Sequence, residues 1–144
     1  MPAARHSVSV AAVIADDQDR VLLIRRRDNQ RWEPPGGVLE LDEDIITGLR
    51  REALEETGLH VEPIALTGVY KNMKRGVVAL VFRCRATAGR LALNDEVSDF
   101  RWATPGEVAA TVDEAFAVRV TDALSCPAGP AIRQHDGVRL ISRP

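Results

Sequence analysis

Glu52, Glu55 and Glu56 stand close together in a stretch from Gly37 to Leu59 that reads GVLELDEDIITGLRREALEETGL. At 100° per residue, with Glu52 at zero, Glu55 falls at roughly 300° and Glu56 at roughly 40°, so a helix here carries three carboxylates on one face. Ile45, Ile46, Leu49 and Ala53 cover roughly 20° to 120°, an apolar stripe that adjoins the acidic one and anchors it to a core. Glu52 and Glu56 are an unfavourable like-charged i,i+4 pair, and a hard divalent cation relieves such repulsion. Clustered carboxylate oxygens suit Mg²⁺ or Mn²⁺, which keep waters and complete their shells with phosphate oxygens. The alternative for these carboxylates taken alone is a solvated acidic face.

Gly48 lies one turn before Glu52, at roughly 320° on the same acidic face. Glycine in a helix interior costs about 1 kcal/mol relative to alanine, so its presence predicts a close approach by the Pro34 to Gly37 loop or by a ligand.

The elements that position this helix can be read around it. Asp44 suits the N-cap, Asp42 and Glu43 suit its positive end, and Gly58 suits the left-handed conformation that ends a helix. Ser7 to Ala15 alternates polar and apolar and then turns continuously apolar, as a strand does on entering a sheet's centre. Val21 to Ile24 is a second buried strand, and the polar turn Asp16 to Asp19 predicts a hairpin between them. Residues 28–44, with Pro34-Pro35-Gly36-Gly37, read as loop. Val61 to Tyr70 and Val77 to Arg85 are further strands joined by a polar turn. Phe100 to Ala103 is a short strand, Thr104 caps a helix that starts at Pro105, and Asp113 to Leu124 is another helix. Strands flank one strong helix without regular βαβ alternation, which predicts an α/β (α+β) fold with helices on a mixed sheet.

A length of 144 residues suits one domain, and 45% hydrophobic with 28% charged residues is an ordinary globular composition. The net charge of −2 supplies no general positive field for duplex nucleic acid, so an anionic partner must be met locally. Of the 19 basic residues only Lys71 and Lys74 are lysines, a bias towards arginine that reads mainly as genomic composition. Cys84 and Cys126 are too few for a disulfide framework or a zinc site. No apolar run approaches the roughly 20 residues of a membrane span, and the first fifteen residues lack the pattern of a secretory leader, so the cytoplasm is the expected compartment. The sequence leaves a homodimer open.

The stretch resembles the signature of the Nudix hydrolases: glycine, five residues, glutamate, seven residues, Arg-Glu, an apolar residue, any residue, Glu-Glu, any residue, Gly and an apolar residue. Gly37, Glu43, Arg51, Glu52, Ala53, Glu55, Glu56, Gly58 and Leu59 fill those places. Ala53 is smaller than the bulky aliphatic usual at its position. The motif covers residues 37–59 of a chain taken as a single domain over 1–144, and the strand pattern extends the likeness to about residue 110.

The resemblance implies a Nudix-type α/β/α sandwich and hydrolysis of a diphosphate bond in a nucleoside diphosphate-linked substrate, with Mg²⁺ or Mn²⁺ as cofactor. By position, Glu52, Glu55, Glu56 and the backbone carbonyl of Gly36 are the implied metal ligands. Arg51 orients the glutamates, through Glu43, rather than touching substrate. The general base is Glu52 or, on the acidic loop Asn94 to Asp99, Glu96; an ordinary solvated carboxylate is the other reading of Glu96. Trp32 stacks on a base or anchors packing. Arg25, Arg26 and Arg27 end a strand directed at the glycine-rich loop, so one of them, with Arg27 as the candidate, would contact phosphate while the others face solvent. Tyr70, Lys71, Lys74 and Arg75 occupy a turn that borders the cleft or is simply exposed. His135-Asp136, followed by Gly137, reads as a turn rather than a catalytic pair.

Two rival activities stand beside the hydrolase. One is a catalytically inactive Nudix-fold module that binds a nucleotide, although an intact carboxylate set favours the enzyme. The other is a prenyl diphosphate isomerase, whose added cysteine-and-glutamate machinery is not recognisable here. No proline lies about fifteen residues past the motif, where ADP-ribose hydrolases of the family often carry one.

Overall fold

The computed structural model describes residues 4–125 and 129–143, so Cys126 lies outside the described residues. The first strand, β1 (Ser7–Ile14), runs from an exposed start into full burial. It is followed by β2 (Val21–Arg26), the two-residue β3 (Trp32–Glu33), β4 (Gly36–Val38) and helix α1 (Ile45–Thr57). Then come the long pair β5 (Leu59–Asn72) and β6 (Val77–Gly89), β7 (Val97–Ala103), helices α2 (Pro105–Thr111) and α3 (Glu114–Leu124), and the strands β8 (Ala131–His135) and β9 (Leu140–Ile141).

Six strands form a mixed sheet in the order β4-β1-β6-β5-β8-β9, in which β1 is parallel to β6 and β5 parallel to β8. A smaller antiparallel sheet has the order β3-β2-β7. Period-two alternation along β1 divides the interior. Val10, Ala12 and Ile14 pack with Leu49 and Ala53 of α1, while Ala11 and Val13 pack with Val108 of α2 and with Val120 and Ala123 of α3. Helices thus cover both faces, the expected α/β/α sandwich, and β1 is apolar without break from Val10 to Ile14 because neither side meets water there.

The expected hairpin between β1 and β2 is not formed. A tight turn does join them, with the Asp16 carboxylate accepting the backbone N–H groups of Gln18 and Arg20. Beyond the single bridge Ala15–Val21, however, the two strands enter different sheets. Both edges of β1 are taken, by β4 and β6, so β2 pairs with β3 and β7 instead. Residues 28–44 likewise hold the short strands β3 and β4 where loop was expected. Cys84 is a buried strand residue whose thiol is pushed up to about 12 by burial.

Candidate active site

The acidic helix starts and stops where its caps dictate. The Asp44 carboxylate accepts the Thr47 N–H at 2.8 Å, and Gly58 takes φ 84°, a left-handed conformation that glycine adopts without Cβ strain. Leu49 and Ala53 anchor the helix to β1, but Ile45 is exposed, so the apolar stripe is narrower than its sequence pattern. Glu56 lies at the border of that stripe and is 8% exposed. Its carboxylate accepts the Gly36 N–H at 2.7 Å, which ties α1 to β4.

Two glycines make the close packing around the carboxylates possible. A Cβ on Gly37 would overlap the Glu52 carboxylate, and one on Gly48 would overlap Leu39 and crowd Glu43. Gly48 therefore does accommodate a close approach, made by the loop just after the Pro34 to Gly37 segment.

Arg51 is the hub of the acidic face. Its Nη2 and Nε donate to the two Glu43 oxygens at 2.6 and 2.9 Å, and Nη1 donates to Glu52 at 2.9 Å and to Glu55 at 3.3 Å. A planar guanidinium with five donors can hold several carboxylates where an ammonium cannot. This contact holds the Glu43 carboxyl down at about 2. Glu56 is outside this network. Burial pushes its carboxyl up to about 8, against the Gly36 N–H and reinforced by Glu52, Glu33 and Glu96. Glu52 is also raised by burial, with Arg51 opposing.

A second segment closes on the same place. Asn94 accepts the N–H groups of Glu96 and Val97 and donates its amide to the Glu56 carbonyl at 3.0 Å. Arg27 ties in from β2's end: its N–H donates to the Glu96 carbonyl and its Nε to the Asn94 carbonyl. These bonds set the Glu96 loop beside α1. Asn94 escaped the sequence reading because its role depends on two segments 38 residues apart.

Glu52, Glu55, Glu56, Glu96, Gly36 and Arg27 all line one cleft of about 790 Å³. Trp32 and Lys74 are not among its lining residues: Trp32 packs partly buried against the core, and Lys74 is exposed in the β5–β6 turn. Tyr70 corrects the expectation of a turn residue at the cleft. It is fully buried in β5, with its hydroxyl donating to Asp122 at 2.7 Å, because the strand extends to Asn72. Arg75 does reach the cleft. Asp136 accepts the N–H groups of Val138 and Arg139, as the turn reading expects, but His135 is a buried cleft residue. Phe116 and Arg119 of α3 line the cleft as well and were missed. Their signal was an arginine standing in the apolar stripe of Ala115, Val120 and Ala123.

The donor set fits a hard cation. The grouped donors are carboxylate oxygens, and the most buried of them, Glu56, has no basic partner among the described residues although Arg51 serves its neighbours. Among the described residues no three acidic, histidine or cysteine side chains are already drawn together around one point, since Arg51 holds Glu52 and Glu55.

Comparison with known proteins gives the fold and the family. A MutT-like protein of Streptomyces ambofaciens is 54% identical over 136 residues, which is 94% of this chain and 88% of that protein. An 8-oxo-dGDP phosphatase of Homo sapiens is 41% identical over 92 residues, 60% of this chain and 28% of the human protein. An ADP-ribose pyrophosphatase from Streptococcus suis shares the fold, with a TM-score of 0.76 at 21% identity over 91% of this chain and 100% of that one. The family model described as NUDIX domain matches residues 5–124, and with the acidic helix, its arginine hub and its glycine contacts in place, the chain belongs to the Nudix hydrolases.

Proposed function

We propose that this protein is a metal-dependent pyrophosphohydrolase that cleaves the diphosphate bond of a small nucleotide or nucleoside diphosphate-linked molecule, with residues 1–144 acting as one domain in the cytoplasm. The observation that carries this reading is the convergence of Glu52, Glu55 and Glu56 from α1 with Glu96 from a separate loop on one cleft of nucleotide size. Anionic oxygens that crowd without enough cations of their own suit a substrate that arrives with a divalent ion.

Glu52, Glu55, Glu56 and the Gly36 carbonyl would hold Mg²⁺, with Mn²⁺ as a substitute. The chemistry supplied by the bound ion is charge neutralisation of the diphosphate and of the leaving oxygen. In the hydrolysis, water adds to phosphorus, the bridging P–O bond breaks, and two phosphate-ended products leave. Glu96 takes the water's proton, and Glu52 is the alternative base. Arg51 positions the carboxylates, and Arg27, fixed through Nε to Asn94, offers its remaining N–H groups to a phosphate. Arg27 and Arg75 at the cleft are local cations in a chain without a general positive field.

The test is a hydrolysis panel with Mg²⁺ or Mn²⁺, covering nucleoside triphosphates and diphosphates, ADP-ribose, dinucleoside polyphosphates, dinucleotide cofactors and capped RNA. Turnover of at least one, abolished by chelation, is expected. Nucleotide binding without turnover across the panel would overturn the enzyme in favour of a binding module.

A further inference from the structure

The cleft has a second group of lining residues, on α3, β5 and β8, apart in the fold from the carboxylates of α1 and the Glu96 loop, although Glu33 of β3 also lines it. Arg119 is 7% exposed, and its guanidinium carbon lies over the Phe116 ring at 4.6 Å and the Tyr70 ring at 5.2 Å. The nearby acid, Asp122 on the same helix, is committed elsewhere: it takes two bonds from Arg133, at 2.7 and 2.8 Å, and one from the Tyr70 hydroxyl. Arg119 is therefore left without a carboxylate in ion-pair contact among the described residues, and its buried Nε has no hydrogen-bond partner. Glu33 attracts it from a distance but is itself paired with Arg26 at 3.1 Å.

His135 repeats the pattern. It is 1% exposed and lies 5.9 Å from Phe116, centroid to centroid. Its Nδ1 accepts the Gly137 N–H at 2.9 Å, a bond made in a turn where Gly137 has φ 104°. With Nδ1 acting as acceptor, the neutral ring carries its proton on Nε2, and that buried N–H is also unpartnered. Burial and Arg119 both hold the ring neutral. Asn72, opposite His135 in the β5–β8 register, spends its Oδ1 on the N–H groups of Lys74 and Arg75 and has its amide NH₂ left to donate.

All three side chains line the cleft, and each has a donor to offer. Their apolar company includes the Tyr70 and Phe116 rings and Ala79, packed in the same cluster. A phosphate dianion would lose its hydration against such walls, whereas a flat ring with a few acceptors matches them. Guanine presents adjacent O6 and N7 acceptors and uracil an O4 acceptor, while adenine and cytosine place an amino donor at the corresponding position.

We infer that Arg119, His135 and Asn72 form a donor-only subsite that selects keto bases over amino bases in the moiety beyond the diphosphate. The inference rests on reading the cleft as a nucleotide site. Arg119 and His135 read the acceptor edge, Asn72 adds a donor, and Phe116 supports both buried side chains.

The test compares GTP with ATP and UTP with CTP on the full chain with Mg²⁺, since each pair shares the triphosphate and ring class. A keto-over-amino ratio in kcat/KM of about 10 or more is expected. In Arg119→Met the ratio falls towards one, mainly through KM. Asn72→Asp keeps the oxygen that holds the β5–β6 turn while replacing the donor, so it retains the fold and also loses keto preference. It decides the matter if Arg119→Met fails to fold. Binding of GMP and AMP, measured by calorimetry without metal, separates the two proposals. Discrimination without any turnover would overturn the hydrolase and support the subsite. Turnover with a ratio near one, or an unchanged ratio in both folded variants, would overturn the subsite.

Discussion

The two ends of the cleft are built from opposite deficits. At one, Glu52, Glu55, Glu56 and Glu96 bring more anionic oxygen than Arg51 can satisfy. At the other, Arg119 and His135 bring buried N–H groups that no acceptor among the described residues meets. Unpaired buried polar groups are costly, and a fold that keeps them on both sides of one cavity stores binding capacity for a ligand that is itself two-ended. On the proposed function the acidic end would accept phosphate through a cation, whereas the donor end would need none. That contrast would let a nearly neutral chain take an anionic substrate without a basic surface.

The largest expected effect breaks the acidic end. Glu56→Gln should lower kcat/KM by about 100-fold or more, because several kcal/mol of charge stabilisation depend on the ligand set. Full activity in a Glu55→Gln, Glu56→Gln double variant would remove these residues from metal binding. Arg51→Met comes next, with a loss of about 10- to 100-fold and a rise in the Mg²⁺ concentration needed for half-maximal rate. Arg51→Lys should rescue little, since an ammonium cannot span Glu43, Glu52 and Glu55.

Gly48→Ala tests the packing beneath that end. The gain of about 1 kcal/mol in helix propensity is opposed by overlap with Leu39 and Glu43, and overpacking of this kind costs about 1–3 kcal/mol, so a small net destabilisation is expected in urea unfolding. A more stable variant would remove the close-approach explanation.

A separate effect is in pH dependence without metal. Glu56 is raised from 4.5 to about 8, so the native state holds a proton that the unfolded chain releases, and melting temperature in EDTA should fall as pH rises from about 4.5 to about 8. Glu43, lowered to about 2, acts in the other direction: its contribution is present above about 4.5 and lost towards 2. Added Mg²⁺ should raise the melting temperature most at the alkaline end, where Glu56 is ionised. A flat profile in EDTA would place Glu56 in contact with solvent.

The same contrast explains what was legible in the sequence. Glu96 apart, the acidic end is contained in one helix and its entry loop, so spacing of 3.6 residues per turn, two caps and two glycines disclosed it. Arg51 could be assigned to Glu43 because both belong to that local segment, eight residues apart. The donor end joins α3, β5 and β8 across long separations, and no local pattern brings Arg119 to His135. Tyr70 shows the same limit from the other side: a polar turn followed it, yet its own place was decided by Asp122, 52 residues away.

The sequence by itself determined the acidic helix, its boundaries, its family and a mixed sheet flanked by helices, because those depend on periodicity and short-range hydrogen bonds. Only the tertiary structure decided that β1 and β2 part into separate sheets, that Asn94 binds the Glu96 loop to α1, and that Asp122 pairs with Arg133 and leaves Arg119 free of it. Each of those outcomes is a competition among partners distant in the chain, settled by which strand edge or carboxylate another group occupies in the folded layers.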